Sequence, residues 1–302
     1  MKNKLPNFLI VGAAKSGTSA LHNYLNQHPK IFMPTFNTKG MKVKEPRFLI
    51  KDVVQNRLHN GVWSLEEYIS LFKKADKSSV IGESSVLYLY YFDEAIKNIK
   101  LRLNDDVRII IMLRNPVDRA FSAYTHVSRG LKENLSFEES LECESYRLNM
   151  DETLTPMVMY KDMGLYYKMV KAYMDNFEKV HIIIYDDFKN NTEKVVKETL
   201  CFLGVNENHE IDTSLKYNVG GRSWKSSLIK SLFMKDNLFK KKIRSILPVN
   251  FRKVVFLLFE YLFKQKSKPI KTNTKIYLLN YFRSDVEQLE ALLKINLKFW
   301  KE

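Results

Sequence analysis

Short apolar runs alternate along this chain with stretches whose apolar positions recur every three or four residues. The runs are Phe8–Val11 (FLIV), Val80–Gly82 (VIG), Arg108–Leu113 (RIIIML) and Val180–Tyr185 (VHIIIY). They are continuous rather than alternating, which predicts strands buried on both faces of a parallel sheet covered by helices. The helical stretches carry end signals. "TSALHNYLNQHP" sets Ala20, Leu21, Tyr24 and Leu25 on one face and stops before Pro29. Asn115 precedes Pro116, a cap followed by proline at the first helical position, and Gly130 suits the end of that helix. Ser136 and Glu139 predict a capping box, and Gly204 a helix stop after "VVKETLCFL". Strand alternating with helix predicts an α/β fold.

The texture changes after about Tyr217. "YNVGGRSWKSS" is a basic, glycine-containing loop, and Lys- and aromatic-rich helical patterns follow it to the end. Residues 1–224 are therefore read as the α/β domain. Residues 225–302 are read as a helical C-terminal extension packed on or appended to it. The segment "NFRKVVFLLFEYLFKQK" mixes basic with large apolar residues and could lie on an anionic membrane, although an ordinary helix packed on the core is the favoured reading. Thr35–Lys44 is an irregular basic loop, and Lys240–Lys242 a solvated face.

Composition narrows this little. The chain has 302 residues, 45% hydrophobic and 27% charged, enough for one sizeable core. Cys143 and Cys201 form no disulfide framework and sit in helical patterns as buried or inert thiols. The first apolar run is too short for a secretion signal, and no stretch is long and apolar enough to span a membrane. A cytoplasmic setting is expected, with the inner membrane face open. The net charge of +15 suits an anionic ligand, polymer or membrane equally well.

The chemistry begins at "IVGAAKSGTSAL". Gly12 and Gly17 have the glycine spacing of a phosphate-binding loop, yet Thr18 stands where its lysine belongs, and Lys15 lies inside the loop. A strand, a glycine turn and a helix N-terminus still make an anion site, and Ser16, Thr18 and Ser19 add hydroxyls. A nucleoside triphosphatase would need an acidic residue on a later strand to help hold magnesium. The strand "RIIIML" ends instead in Arg114, which attracts an anion and repels a metal. Arg114, at the edge where ligands bind in open α/β sheets, and Ser122, on the next helix, form a second candidate anion site. Asn115, Arg119 and Ser122 share a face of that helix by spacing. Two separated anion sites fit a nucleotide with a 5′ group and a 3′-phosphate.

These residues resemble the sulfotransferases that use 3′-phosphoadenosine-5′-phosphosulfate (PAPS). "GAAKSGTSAL" resembles their 5′-phosphosulfate loop and "LRNPVDRAFSAY" their 3′-phosphate motif. "KEPRFL" and "GESSVLYLY" resemble motifs of the heparan-sulfate and bacterial carbohydrate branch, and "VHIIIYDDFKNN" its late strand and helix. The likeness runs from about Phe8 to Arg222. It implies a three-layer, P-loop-like fold and metal-free, in-line transfer of a sulfuryl group to a hydroxyl or amine. It places Lys15, Ser16, Gly17, Thr18, Ser19, Arg114 and Ser122 on the nucleotide, with Lys15 at the oxygen bridging phosphate and sulfate. Gly221 and Arg222 would approach the 3′-phosphate or adenine, with Lys225 a competitor. Glu45 matches the branch's base, with Glu83 and His126 as rivals. Arg47, Ser84 and Val86 depart from the usual His, Lys and Pro, all on the acceptor side. A saccharide or glycolipid acceptor is expected, and no nucleic acid. A magnesium-dependent nucleotide kinase or triphosphatase is the runner-up reading. A basic, non-enzymatic nucleic-acid or membrane binder is the third, and it leaves both anion loops unexplained.

Overall fold

The computed structural model of the protein describes residues 4–37, 40–75, 80–103, 106–130, 133–215, 222–226, 229–231, 251, 258 and 262–302. Five strands form one sheet: β1 (Phe8–Gly12), β2 (Ile31–Phe32), β3 (Val80–Ser84), β4 (Arg108–Leu113) and β5 (Val180–Ile184). Their order is β2-β3-β1-β4-β5 and every pairing is parallel. The order reverses across β1, so the loops after β1, β3 and β4 leave the same edge side by side. That is where open α/β sheets bind ligands.

The helices are α1 (Thr18–Leu25), α2 (Lys51–Val54), α3 (Leu65–Ser70), α4 (Phe92–Arg102), α5 (Pro116–Val127), α6 (Phe137–Glu142) and α7 (Glu144–Met150). They continue with α8 (Tyr166–Asn176), α9 (Tyr185–Asn190), α10 (Thr192–Leu203) and, in the C-terminal part, α11 (Thr272–Leu293). Successive strand residues feed opposite faces of the sheet. Leu9, Val11, Ile109 and Ile111 meet α4, α5, α8 and α11 in one core, while Phe8, Ile10, Ile110 and Met112 meet α1, α9 and α10 in the other. The result is the expected three-layer α/β fold. Gly82 is required by the packing: a Cβ there would lie 2.1 Å from the Phe8 ring.

The end signals largely hold. Asn115 accepts from the Val117 N–H at 3.0 Å, the Ser136–Glu139 capping box is complete, and Gly204 takes the left-handed conformation at φ 72°. Other expectations need correction. The pattern did not reveal β2, because a two-residue strand has no period to read. Helix α5 ends at Val127, short of Gly130. Cys201 is exposed on α10 and Cys143 half-buried, so the former is not a buried thiol. Arg222–Trp224, placed in a loop, form strand β6, and Lys264–Lys266, placed in a helix, form β7, paired antiparallel with it. Lys240–Lys242 and most of the segment considered for membrane contact lie outside the described residues. Among the described residues, no helix is long and apolar enough to cross a membrane.

The end of the chain enters the main core. Leu278, Phe282, Val286 and Leu289 of α11 are buried against α5 and α8. Trp300 is buried beside Tyr166, with ring centroids 6.2 Å apart. Phe282→Ala should therefore cost the whole domain about 3–5 kcal/mol. Urea unfolding followed by fluorescence checks this, and the loss should appear in a single transition rather than as early release of the C-terminal helix.

Candidate active site

Residues 13–17 carry the chain from β1 into α1 through two left-handed positions, Lys15 at φ 72° and Gly17 at φ 90°. Gly17 suits its place twice. Its backbone favours glycine, and an added Cβ would press on the Tyr185 ring at 3.2 Å and on Phe188 at 3.3 Å. No side chain caps α1. Ser16 is fully buried and its Oγ has no partner among the described residues. Native interiors seldom leave such a hydroxyl unpaired, so the loop has donor capacity for something that is not protein. Thr18 is buried, and Ser19 is half-buried with its carbonyl accepting from Asn23 Nδ2 at 2.6 Å.

Arg114 leaves the tip of β4 and reaches this loop directly. Its Nη1 donates to the Lys15 carbonyl at 3.2 Å, and its Nη2 lies 3.9 Å from Asp118. The guanidinium stacks over the Tyr185 ring, 4.8 Å from the centroid. Tyr166 Oη donates to the Arg114 carbonyl at 3.0 Å, and Arg114 Nε is buried without a partner. The two anion motifs, far apart in sequence, thus join at one sheet edge. Ser122 is half-buried on α5, and its carbonyl accepts from Thr125 Oγ1 at 3.1 Å. Arg119, which shares that face by spacing, is fully buried instead and donates to the Tyr160 carbonyl. Gly221 lies outside the described residues. Arg222 opens β6, and Lys225 is exposed, its N–H donating to the Phe263 carbonyl at 2.9 Å. Trp224 Nε1 donates to the Arg129 carbonyl at 3.1 Å and ties β6 to the turn after α5.

Glu45 sits opposite, in the loop before α2. Lys44 Nζ approaches its Oε1 at 3.4 Å and Arg47 Nη2 its Oε2 at 3.0 Å. Glu83, by contrast, is fully buried and takes hydrogen bonds from Tyr68 at 2.5 Å and Ser85 at 2.7 Å. Ser84, at the end of β3, is buried, and its Oγ has no partner among the described residues.

Residues 5–243 of this chain match the sulfotransferase domain family. The chain belongs to the sulfotransferase family. Over nearly its whole length it is also similar to the crystal structure of a sulfotransferase from Alicyclobacillus acidocaldarius. That likeness covers 99% of this chain and 100% of the other, at 30% identity and a TM-score of 0.72. The membrane-associated sulfotransferase kil1 of Dictyostelium discoideum is 30% identical over 132 residues, 44% of this chain and 25% of that protein. Human carbohydrate sulfotransferase 15 is 23% identical over 258 residues, 67% of this chain and 44% of that protein. The chain thus spans from a quarter to less than half the length of these two curated relatives.

The electrostatics of this sulfotransferase follow from crowding of like charges. Burial, then Arg129, Arg114 and Lys44, push the Lys15 ammonium down to about 8, with Glu45 opposing. His126, at the last turn of α5, is pushed down to about 4 by loss of water and by Lys15 and Arg129. Burial raises the Glu45 carboxyl, but Lys44 and Arg47 outweigh that and leave it below its ordinary value. Burial raises Glu83 above its own. Among the described residues, no group of three or more His, Cys, Asp or Glu side chains could hold a metal ion.

The motifs did not reveal Arg129, Tyr185 or Ser85. Arg129 lies in a plain polar turn, "VSRG"; Tyr185 reads as the end of a strand; and Ser85 reads as one hydroxyl among several. Only the fold brings them to the site.

The charged form of Lys15, the one able to hold an anion, is lost as the pH rises through about 8. Affinity for adenosine 3′,5′-bisphosphate should therefore fall between pH 7 and pH 9. Lys15→Met should bind weakly with a flat profile, and calorimetry at both pH values checks this.

Proposed function

We propose that this sulfotransferase moves a sulfuryl group from PAPS to a hydroxyl or amine of an acceptor, with Glu45 as base and without a metal. The observation that carries the reading is Arg114. A cation, not a carboxylate, stands at the tip of β4 and bonds to the backbone of the Lys15 loop. That arrangement supports an anionic ligand handled by protein charges alone. The buried Ser16 hydroxyl and Arg114 Nε, without partners among the described residues, fit a ligand rich in acceptor oxygens.

When bound, PAPS supplies a sulfuryl group already activated by its link to the 5′-phosphate. Ser16, Gly17, Thr18 and Ser19 would hold that phosphate with hydroxyls and the α1 N-terminus. Arg114 and Ser122 would hold the 3′-phosphate, with help from Arg222. Glu45 takes the acceptor's proton as the acceptor oxygen or nitrogen bonds to sulfur. The electron pair of the breaking S–O bond leaves on the nucleotide phosphate, where Lys15 neutralises it. The pairing with Lys44 and Arg47 keeps Glu45 ionised, as a base requires.

The acceptor is read as a saccharide or glycolipid. The human relative's name, carbohydrate sulfotransferase, supports that class. The magnesium-dependent and non-enzymatic readings are not favoured, because each leaves the Arg114–Lys15 pairing without a purpose.

Incubation with PAPS and a panel of saccharides, glycolipids and small hydroxyl compounds, read by mass, tests the reaction. A gain of one sulfuryl group on an acceptor in the presence of a chelator is expected. Glu45→Gln keeps the shape and removes the base, so turnover should fall by on the order of 10²–10⁴. Donor affinity should stay the same; turnover near that of the unmodified enzyme would remove Glu45 from this role. Arg114→Ala should weaken a ligand bearing a 3′-phosphate by about 1.5–3 kcal/mol. It should weaken the analogue without that phosphate far less, as competition binding would show.

A further inference from the structure

The Glu45 loop turns at a residue that does not suit the turn. Arg47 adopts the left-handed backbone conformation, at φ 58°. This region is uncommon for a long side chain, and such a residue persists only where its surroundings fix it. The anchor is visible. The Arg47 N–H donates to Ser85 Oγ at 3.0 Å, and Ser85 Oγ donates to Glu83 Oε1 at 2.7 Å. Tyr68 donates to the other Glu83 oxygen at 2.5 Å. Tyr68, Glu83 and Ser85 are all fully buried, and Tyr68 stacks on Phe48 at 4.5 Å. Tyr88 Oη accepts from the Leu49 N–H at 3.2 Å and pins the chain just past the turn. The carboxylate of Glu83 is thus a root sunk in the core, and the loop hangs from it through one hydroxyl.

The side chain of Arg47 is held as firmly as its backbone. Nη2 meets Glu45 Oε2 at 3.0 Å, while Nη1 donates to the Asn60 carbonyl. A planar guanidinium fixed at both ends fixes the carboxylate it touches, which a flexible ammonium does less well.

We propose that Arg47 is a positioning residue for proton transfer: it aims the Glu45 carboxylate, and the Glu83–Ser85 pair sets Arg47 by its backbone. This rests on the reading of Glu45 as base. The arrangement couples three places in the sequence, since strand β3 supplies the root and the loop before α2 supplies both the guide and the base. It also gives the departure at position 47 a purpose within the protein.

Several charges face Glu45. Lys44 and Arg47 come from its own loop, Lys15 from the β1–α1 loop, His126 from α5 and Glu83 from β3. Removing the Arg47 charge leaves Lys44 and Lys15 as the nearby cations, so the proton affinity of Glu45 must rise. The acid limb of the kcat/KM profile reports the base in the free enzyme. It should move to higher pH.

The test is this pH profile, measured on sulfuryl transfer by Arg47→Gln, Arg47→Ala, Arg47→Lys and Ser85→Ala, with folding checked by thermal melting. Arg47→Ala and Arg47→Gln should each raise the acid limb by about one pH unit or more, as expected for loss of an opposite charge at this range. Arg47→Lys should restore part of the shift. Ser85→Ala should move the limb in the same direction by less, and affinity for adenosine 3′,5′-bisphosphate should not change in any of them. Arg47→Gln keeps the polar bulk, so the question stays answerable should Ser85→Ala fail to fold. An unchanged acid limb in folded Arg47→Gln overturns the inference. If Glu45→Gln is inactive at the same time, the base reading survives that loss. If Glu45→Gln is fully active, the base reading itself is what failed.

Discussion

Positive charge gathered at one edge of a parallel sheet is the constraint on which this site depends. Lys15 shares its surroundings with Arg114, Arg129 and Lys44, and Glu45 is the carboxylate that offsets their effect on it. Like charges brought together out of water work against folding. Of these charges, Arg114 is held by several parts of the fold. The Arg114 guanidinium lies on the Tyr185 ring and bonds to the Lys15 carbonyl, and its own carbonyl is held by Tyr166. The depressed ammonium of Lys15 is the chemical mark of that crowding. An arriving polyanion would relieve it, so part of the ligand's binding energy is built into the free protein.

The support for this cluster comes from far along the chain. Asp285 of α11 accepts from the Tyr166 N–H at 2.7 Å and from the Tyr167 N–H at 3.2 Å, and so fixes the start of α8. Tyr166 then fixes the backbone of Arg114. Trp300 packs on Tyr166 and donates to Asp186 Oδ2 at 3.3 Å, beside the Tyr185 that underlies the guanidinium. The C-terminal part is therefore joined to the candidate site through two aromatic residues. The β6–β7 pair acts on the other side, with Trp224 bonded to the turn that carries Arg129.

Much of this was legible in the sequence because it is local. Continuous apolar runs marked β1 and β4 closely, since strands buried on both faces leave few polar positions to obscure them. The run for β5 marked it as well, although that strand lies at the sheet's edge and is only half-buried over residues 180–182 rather than covered on both faces as expected. The placement of the glycine loop after β1 and of Arg114 after β4 could be read because each sits at a strand end, where topology fixes the direction of the chain. What the sequence hid is what the tertiary fold decides. Arg119 has the spacing of a site residue, but α5 packs against the segment carrying Tyr160 and draws it into the core. Tyr185 has the look of a strand residue, yet β5 ends at Ile184, and the ring becomes a platform for Arg114. Ser85 and Glu83 share a short motif, but their role shows only when the left-handed turn at Arg47 is seen to hang from them. The helical reading of Lys264–Lys266 failed because pairing with β6 overrides a local helical pattern.

The central claim is that protein charges alone, with an Arg where a metal-binding carboxylate would otherwise stand, form a site for a nucleotide with two separated phosphates. The most direct measurement is calorimetric titration of adenosine 3′,5′-bisphosphate into the full chain, once in a chelator and once with magnesium, with ATP as a competitor. Tight binding that is the same in both and poorly displaced by ATP is the predicted result. Binding that appears only with magnesium, or that ATP displaces as readily as the bisphosphate itself, would contradict the account.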